Sequence, residues 1–103
     1  MSLMFALSLV VTSELSIQNG KVEKFLSIVN AGLEVSRSFS GDRSFDIYVD
    51  KEALGKVLFV ETWESEQHFQ KDYQWRLEQG DFQILRSYFS APPVVRQYID
   101  TAD

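Results

Sequence analysis

The chain contains no cysteine, which excludes disulfides, thiolate catalysis and every zinc site built on cysteine. Its single histidine, His68, leaves no two-histidine metal motif within one copy. The only prolines are the adjacent pair Pro92-Pro93, and glycines number five, so no stretch reads as a linker or low-complexity segment. Long hydrophobic runs are missing too. The longest, Leu3 to Leu7, falls far short of the ~20 residues a membrane helix needs. Positive charge is scarce: ten bases against fifteen acids leave a formal charge of −5. Such a balance argues against nucleic acid and anionic membrane as partners, because both are held by neutralising phosphate. No Lys or Arg precedes Lys21, so Leu3 to Val11 reads as an N-terminal strand rather than a signal-peptide core. Met1 to Leu3, ahead of a second methionine at Met4, read as a cloning remnant. A cytoplasmic location is the expectation, in keeping with the absence of cysteine.

Apolar residues make up 45% of the 103 and aromatics 14%, enough for a globular core and for one domain spanning residues 1–103. A domain of this size hides only about 60–65% of its unfolded surface, which favours self-association. From Phe5 to Leu15 the residues alternate as a strand, with Leu7, Leu9 and Val11 on one parity. Asn19-Gly20 ends it, with Asn19 placed to cap the next element. Val22, Phe25, Leu26, Val29 and Leu33 fall at helical spacing on a helix to about Ser38. Gly32 inside that helix costs about 1 kcal/mol against alanine, which predicts a close backbone approach.

Ser40-Gly41-Asp42 is a turn, after which Phe45, Ile47 and Val49 alternate in a second strand. Lys56 to Trp63 forms a third, paired with the second as an antiparallel hairpin. Ser65 opens a second helix with Phe69, Tyr73 and Leu77 as its apolar stripe. Gly80 interrupts it, and Asp81 is placed to cap a short continuation carrying Phe82, Leu85 and Phe89. Pro92-Pro93 forbids further helix, and Val94 to Ile99 reads as the last strand.

The order β-α-β-β-α-β predicts an α+β, ferredoxin-like fold: a four-stranded antiparallel sheet with both helices on one face. The other face should then be polar, yet in Val57-Leu58-Phe59-Val60 both parities are apolar, and Val10 and Ala6 oppose Leu9 and Leu7. A second copy of the chain is the one cover at hand, so the expectation is a homodimer packed sheet to sheet, a dimeric α/β barrel.

Phe39-Ser40-Gly41-Asp42-Arg43-Ser44-Phe45-Asp46-Ile47-Tyr48, followed by Leu58-Phe59-Val60-Glu61-Thr62-Trp63-Glu64-Ser65-Glu66-Gln67-His68-Phe69, resembles the antibiotic biosynthesis monooxygenase (ABM) family. That family's pattern is a Ser-Arg helix end, here Ser36-Arg37, a glycine turn, a strand, then Glu-x-Trp leading into the second helix. Asn19 to Phe25 resembles its first-helix entry. The resemblance implies a dimeric α/β barrel and oxygenation of an anthrone-like or quinol substrate without metal or flavin. It therefore implies no cofactor, with dioxygen and a small aromatic as the partners besides the second copy. Relatives cleave haem, isomerise small molecules or have no known activity. The rival readings are accordingly a non-catalytic small-ligand-binding or stress-associated barrel, and an isomerase on a small oxygenated metabolite.

Cofactor-free oxygenation needs an electron-rich aromatic that loses a proton, in a dry apolar pocket with one proton acceptor and a group to hold the anion. The resemblance places Trp63 at the cavity, against the alternative of a plain core tryptophan. Glu64, His68, Asp72 and Arg76 follow at i+4 steps. They form either a solvated helix face, worth about 0.2–0.5 kcal/mol per pair, or a histidine flanked by carboxylates. Three successive turns do not converge on one ion, so no metal site is expected. Many relatives carry a histidine nine or ten residues after the tryptophan. Here those positions are Asp72 and Tyr73, which makes Asp72 the candidate base, with Tyr73 or Arg76 holding the anion.

Haem-degrading relatives place an asparagine late in the first strand, where this chain has Thr12, Ser13 and Glu14, so haem cleavage fits least. His68 and Phe69 are candidate substrate contacts. Tyr48, also a candidate, projects either into the pocket or onto the dimer face. Trp75 lies off the apolar stripe of its helix, which predicts an exposed ring contacting a lid, a second copy or the C-terminal arm. Residues 61 to 82 hold six acids and two bases, which disfavours an anionic ligand near the second helix.

Overall fold

A computed structural model describes residues 8–38 and 41–101. Its element order is β1 (Leu9–Ser16), α1 (Val22–Arg37), β2 (Asp42–Val49), β3 (Lys56–Trp63), α2 (Glu66–Gln79), α3 (Asp81–Arg86) and β4 (Val94–Ile99). The strands form one sheet in the order β2-β3-β1-β4, every neighbouring pair antiparallel. This is the ferredoxin-like α+β arrangement. The expected strand start at Phe5, the remnant Met1–Leu3 and the turn residue Ser40 lie outside the described residues.

Alternation decides which side chains enter the core, because successive strand residues point to opposite faces. In β3, Val57, Phe59, Glu61 and Trp63 are buried while Leu58, Val60 and Thr62 are half-buried. Registers of Leu15 with Val57, Val11 with Glu61 and Leu9 with Trp63 continue the buried face onto β1. Helices α1 and α2 pack on that face. Phe25 is fully buried, its ring stacked on Phe59 at 6.1 Å and flanked by Tyr88 and Phe89 at 6.0 and 6.1 Å. Burying a side chain of that kind contributes about 1.5–3 kcal/mol. A second cluster gathers Leu9, Val11, Trp63 and Phe69.

Several local expectations change. Asn19 does not cap α1. It sits inside a tight turn closed by Lys21 N–H donating to the Gln18 carbonyl, and the Lys21 carbonyl accepts the first helical bond from Phe25. Turn closure has taken the residue that resembled a cap. Nor does the backbone come close at Gly32, where a Cβ would meet nothing within 4 Å. Ser65 does cap α2, its hydroxyl accepting from His68 N–H. Gly80, left-handed at φ 78°, both ends α2 and begins α3. Asp81 is therefore the first residue of α3 rather than its cap, and its carboxylate accepts instead from Arg76 Nη1 at 2.8 Å.

Within α2 the buried residues are Phe69 and Asp72, while Tyr73 and Leu77 are largely exposed. The helix has turned so that part of the charged stripe, not the whole apolar one, meets the sheet. Trp75 is half-buried rather than exposed, with the Arg76 guanidinium 5.2 Å from its ring centre. Beyond α3, backbone bonds from Gln18 N–H to the Tyr88 carbonyl and from Ser90 N–H to the Ser16 carbonyl tie the chain to the end of β1. That clamp feeds β4 onto the sheet edge, where all six of its residues are exposed.

Candidate functional site

Helices α1, α2 and α3 do not fill the space over the sheet. A cavity of about 420 Å³ remains between them and the helix-facing side of the strands. Its wall is mainly aliphatic and aromatic: Val11 and Leu15 from β1, Val29 and Leu33 from α1, Phe59 from β3 and Phe69 from α2. Gly32 borders it where a side chain would otherwise stand. Polar groups enter from few points. Ser13 and Glu61 rise from the sheet, Asp72, Tyr73 and Arg76 come from α2, and Asp81 and Arg86 from the two ends of α3. Volume and lining are those of a small-molecule pocket.

Asp72 is the most unusual of these groups. It is only 7% exposed, and its Oδ1 is buried without a hydrogen-bond partner. Arg76 Nε stands 3.5 Å from that oxygen, an ion pair too long to be a good hydrogen bond. The guanidinium is shared, because its Nη1 donates to Asp81 at 2.8 Å. Burial pushes the Asp72 carboxyl above its ordinary value of 3.8, Arg76 pulls it back only in part, and the Asp81 charge adds to the upward shift. A solvated helix face is therefore the wrong description of this position. A carboxylate one turn from its arginine has been carried into an apolar pocket.

Tyr73 borders the same pocket, its ring 6.0 Å from Phe69 and 5.0 Å from Phe82. The structure thus brings together Phe69, Asp72, Tyr73 and Arg76. Trp63, His68 and Tyr48 stand elsewhere. Trp63 is fully buried behind the wall, its Nε1–H donating to Glu61 Oε1 at 3.1 Å and its ring meeting Phe69 edge-on at 6.1 Å. His68 Nδ1 lies 2.6 Å from Ser65 Oγ, and its ring covers Gly41 so closely that a Cβ there would clash with the imidazole. It is a packing residue of the β2 entry, outside the cavity lining.

Tyr48 pairs with Leu58 in the β2–β3 register and is 54% exposed on the opposite face of the sheet. The pocket position weighed for it is excluded by strand parity: Phe45 and Ile47 face the helices, so Tyr48 does not. That outer face also carries Val10, Leu58, Val60, Val94 and Tyr98, all half-buried or exposed.

Among the polar wall residues, Ser13, Glu61, Asp81 and Arg86 were not singled out from sequence as site residues. Glu61, 9% exposed, had a visible signal: a carboxylate at a parity otherwise held by Val57, Phe59 and Trp63. Ser13 interrupts Val11 and Leu15 in the same way. Among the described residues no group of three or more His, Cys, Asp or Glu is arranged to hold a metal ion. Among the described residues no helix is long and apolar enough to cross a membrane.

Comparison with known proteins accords with this geometry. Solved structures with the same fold include a conserved protein from Methanosarcina mazei Go1, with a TM-score of 0.83 at 15% identity over 95% of this chain and 97% of that one. A protein from Shewanella oneidensis gives a TM-score of 0.82 at 18% identity, with 92% of each chain covered. A structure described as an antibiotic biosynthesis monooxygenase gives 0.78 at 16% identity, over 87% of this chain and 95% of that one. At such identities the likeness shows the fold alone. No curated protein matches significantly in sequence. The family model described as antibiotic biosynthesis monooxygenase matches residues 8–74, from the first strand through Tyr73 in the pocket wall. By that match, which covers more than half of its length, the chain belongs to the antibiotic biosynthesis monooxygenase family.

Proposed function

We infer that the protein is a cofactor-independent monooxygenase acting on a small aromatic or quinol-type substrate in this cavity, as a cytoplasmic homodimer packed sheet to sheet. The observation that carries the reading is Asp72: a buried carboxylate whose Oδ1 has no hydrogen-bond partner and only a long ion pair to Arg76, in a mainly apolar pocket. Its raised pKa makes the ionised form a stronger base than an aspartate in water. Membership of the family supports the choice of reaction.

In this reading Asp72 removes a proton from an anthrone-type methylene, and Arg76 and Tyr73 hold the resulting enolate. The anion passes one electron to dioxygen. Superoxide and the substrate radical then combine, forming a C–O bond, and the peroxide anion takes back the proton held by Asp72. Loss of the remaining methylene proton with cleavage of the O–O bond releases water and leaves a carbonyl. One oxygen atom ends in product and the other in water. The methylene carbon is oxidised by four electrons and dioxygen is reduced by four, so the substrate supplies every electron. The apolar wall desolvates the anion, and the protein contributes a base, a cation and orientation.

Oxygen uptake with a panel of anthrones and quinols tests the reading. The expected result is uptake with at least one member, abolished in Asp72→Asn. A flat trace across the panel overturns the monooxygenase and leaves a binding protein. Isomerisation of an oxygenated metabolite without oxygen uptake would move the same acid and base groups to a different reaction.

A further inference from the structure

Arg76 follows Asp72 by four residues in α2, the spacing at which a helix lets a guanidinium close on a carboxylate. Both side chains are largely buried, where a close two-pronged pair is the favoured geometry. The pair is open instead. Nε stays 3.5 Å from Asp72 Oδ1, and that oxygen has no hydrogen-bond partner. The same guanidinium reaches across the break between two helices. Gly80, left-handed at φ 78°, ends α2 and leads directly into Asp81, the first residue of α3. Asp81 Oδ2 accepts from Arg76 Nη1 at 2.8 Å. One cation thus serves two carboxylates, and the more exposed of them takes the short bond.

We propose that Asp81 is a positioning residue of this site: its carboxylate draws the Arg76 guanidinium away from Asp72 and so keeps Asp72 available as a base. The inference rests on Asp72 as the proton acceptor of the pocket, but not on the oxygenation chemistry. A carboxylate gripped by both prongs of a guanidinium is a weak proton acceptor, because its charge is already met. Asp72 has only one long contact of this kind, and burial strengthens its hold on a proton. Arg76 opposes that rise, and the Asp81 charge adds to it. Asp81 needs no contact with a ligand to act in this way. The other ionisable groups at the cavity are Glu61 on β3, Tyr73 on α2 and Arg86 at the end of α3. The described wall residues of α1, β1, β2 and β4 carry none. Trp75 gives Arg76 a second hold, its ring centre 5.2 Å from the guanidinium, and is the rival cause of its stance.

The test is the carboxyl titration of Asp72, followed by NMR on the full chain isotope-labelled at its aspartates, without added ligand. Asp72→Asn identifies the signal. In the wild type the midpoint is expected above the ordinary 3.8. Asp81→Ala should move it down, because the released guanidinium can close on Asp72. Asp81→Glu keeps a carboxylate for Nη1 and should leave the midpoint close to wild type. Arg76→Gln should raise the midpoint. In that background Asp81→Ala should lower it by less than half as much as it does with Arg76 present.

Backbone spectra establish that each variant is folded, and Asp81→Asn is a second variant that removes the charge with little change of shape. An unmoved midpoint in both means that other contacts of Arg76, Trp75 foremost, hold the guanidinium, and overturns the proposal. An equal drop with and without Arg76 means that Asp81 acts by its charge alone, and overturns the positioning role. Oxygen uptake is read separately. Where it occurs, the rise of kcat/KM with pH should shift down with the Asp72 midpoint in Asp81→Ala, and kcat should fall. Titrations as expected with no uptake leave this inference standing and remove the oxygenase, whereas uptake with an unmoved midpoint does the reverse.

Discussion

Replacing Gly32 separates stability from function at this site. Glycine in a helix interior is less favourable than alanine by about 0.8–1.0 kcal/mol, and Gly32 lies well inside α1. Its conformation is not the reason for it, since the positive-φ glycines are Gly20, Gly41, Gly55 and Gly80. Nor is crowding, because a Cβ at position 32 would have no neighbour within 4 Å. What a side chain there would enter is the cavity. Gly32→Ala should therefore stabilise the fold by nearly the full propensity difference. In a domain of this size that raises Tm by about 4–8 °C per kcal/mol.

Gly32→Phe carries the experiment further, because a benzyl group entering a cavity of about 420 Å³ competes directly with an aromatic ligand. Melts followed by circular dichroism, together with naphthol titration and oxygen uptake, give both readouts. The expected pattern is a more stable alanine variant that still binds, and a folded phenylalanine variant that does not. A lower Tm for Gly32→Ala would mean that the backbone does approach closely there. Undiminished binding in Gly32→Phe would mean that the ligand sits elsewhere, and the proposed chemistry would lose its location.

Two further outcomes follow from the same geometry. The folded state holds the Asp72 proton more tightly than the unfolded chain, because burial raises its pKa. Stability therefore falls as pH rises from the ordinary value of 3.8 through the folded-state value, beyond which the fold carries a buried carboxylate. Asp72→Asn should melt higher than wild type at pH 7 and nearly with it at pH 3, as well as losing oxygen uptake; equal Tm differences at both pH values would refute the burial argument. Wild-type protein at micromolar concentration should sediment as a dimer and Val60→Lys as a monomer, since Val60 lies on the outer face beside Val10, Thr12 and Leu58. A monomeric wild type would end the sheet-to-sheet assembly.

Much of the fold was legible because it depends on short-range rules. Apolar alternation located β3 at Lys56–Trp63, and the proline pair placed β4 at Val94–Ile99. Ser65 marked the start of α2 because a hydroxyl before a helix has a donor to satisfy. Asn19 misled for the same reason: its type suits both a cap and a turn, and only closure of the Gln18–Lys21 turn decided between them. Tyr48 was undecidable until the β2 register was known, because a strand pattern with hydrophobics on both parities does not say which face is covered.

The sequence alone determined the strand and helix order, the family pattern through Glu61-Thr62-Trp63, and the chemical types available for a site. Tertiary structure decided which of those types meet. Asp72 became a buried base candidate through the rotation of α2 against the sheet, which no i+4 spacing encodes. Trp63 moved from the cavity to the layer behind it, while Glu61 took the wall. The physical reason is one of range. Local periodicity fixes direction relative to an element's own axis, whereas exposure and pKa depend on how two elements pack.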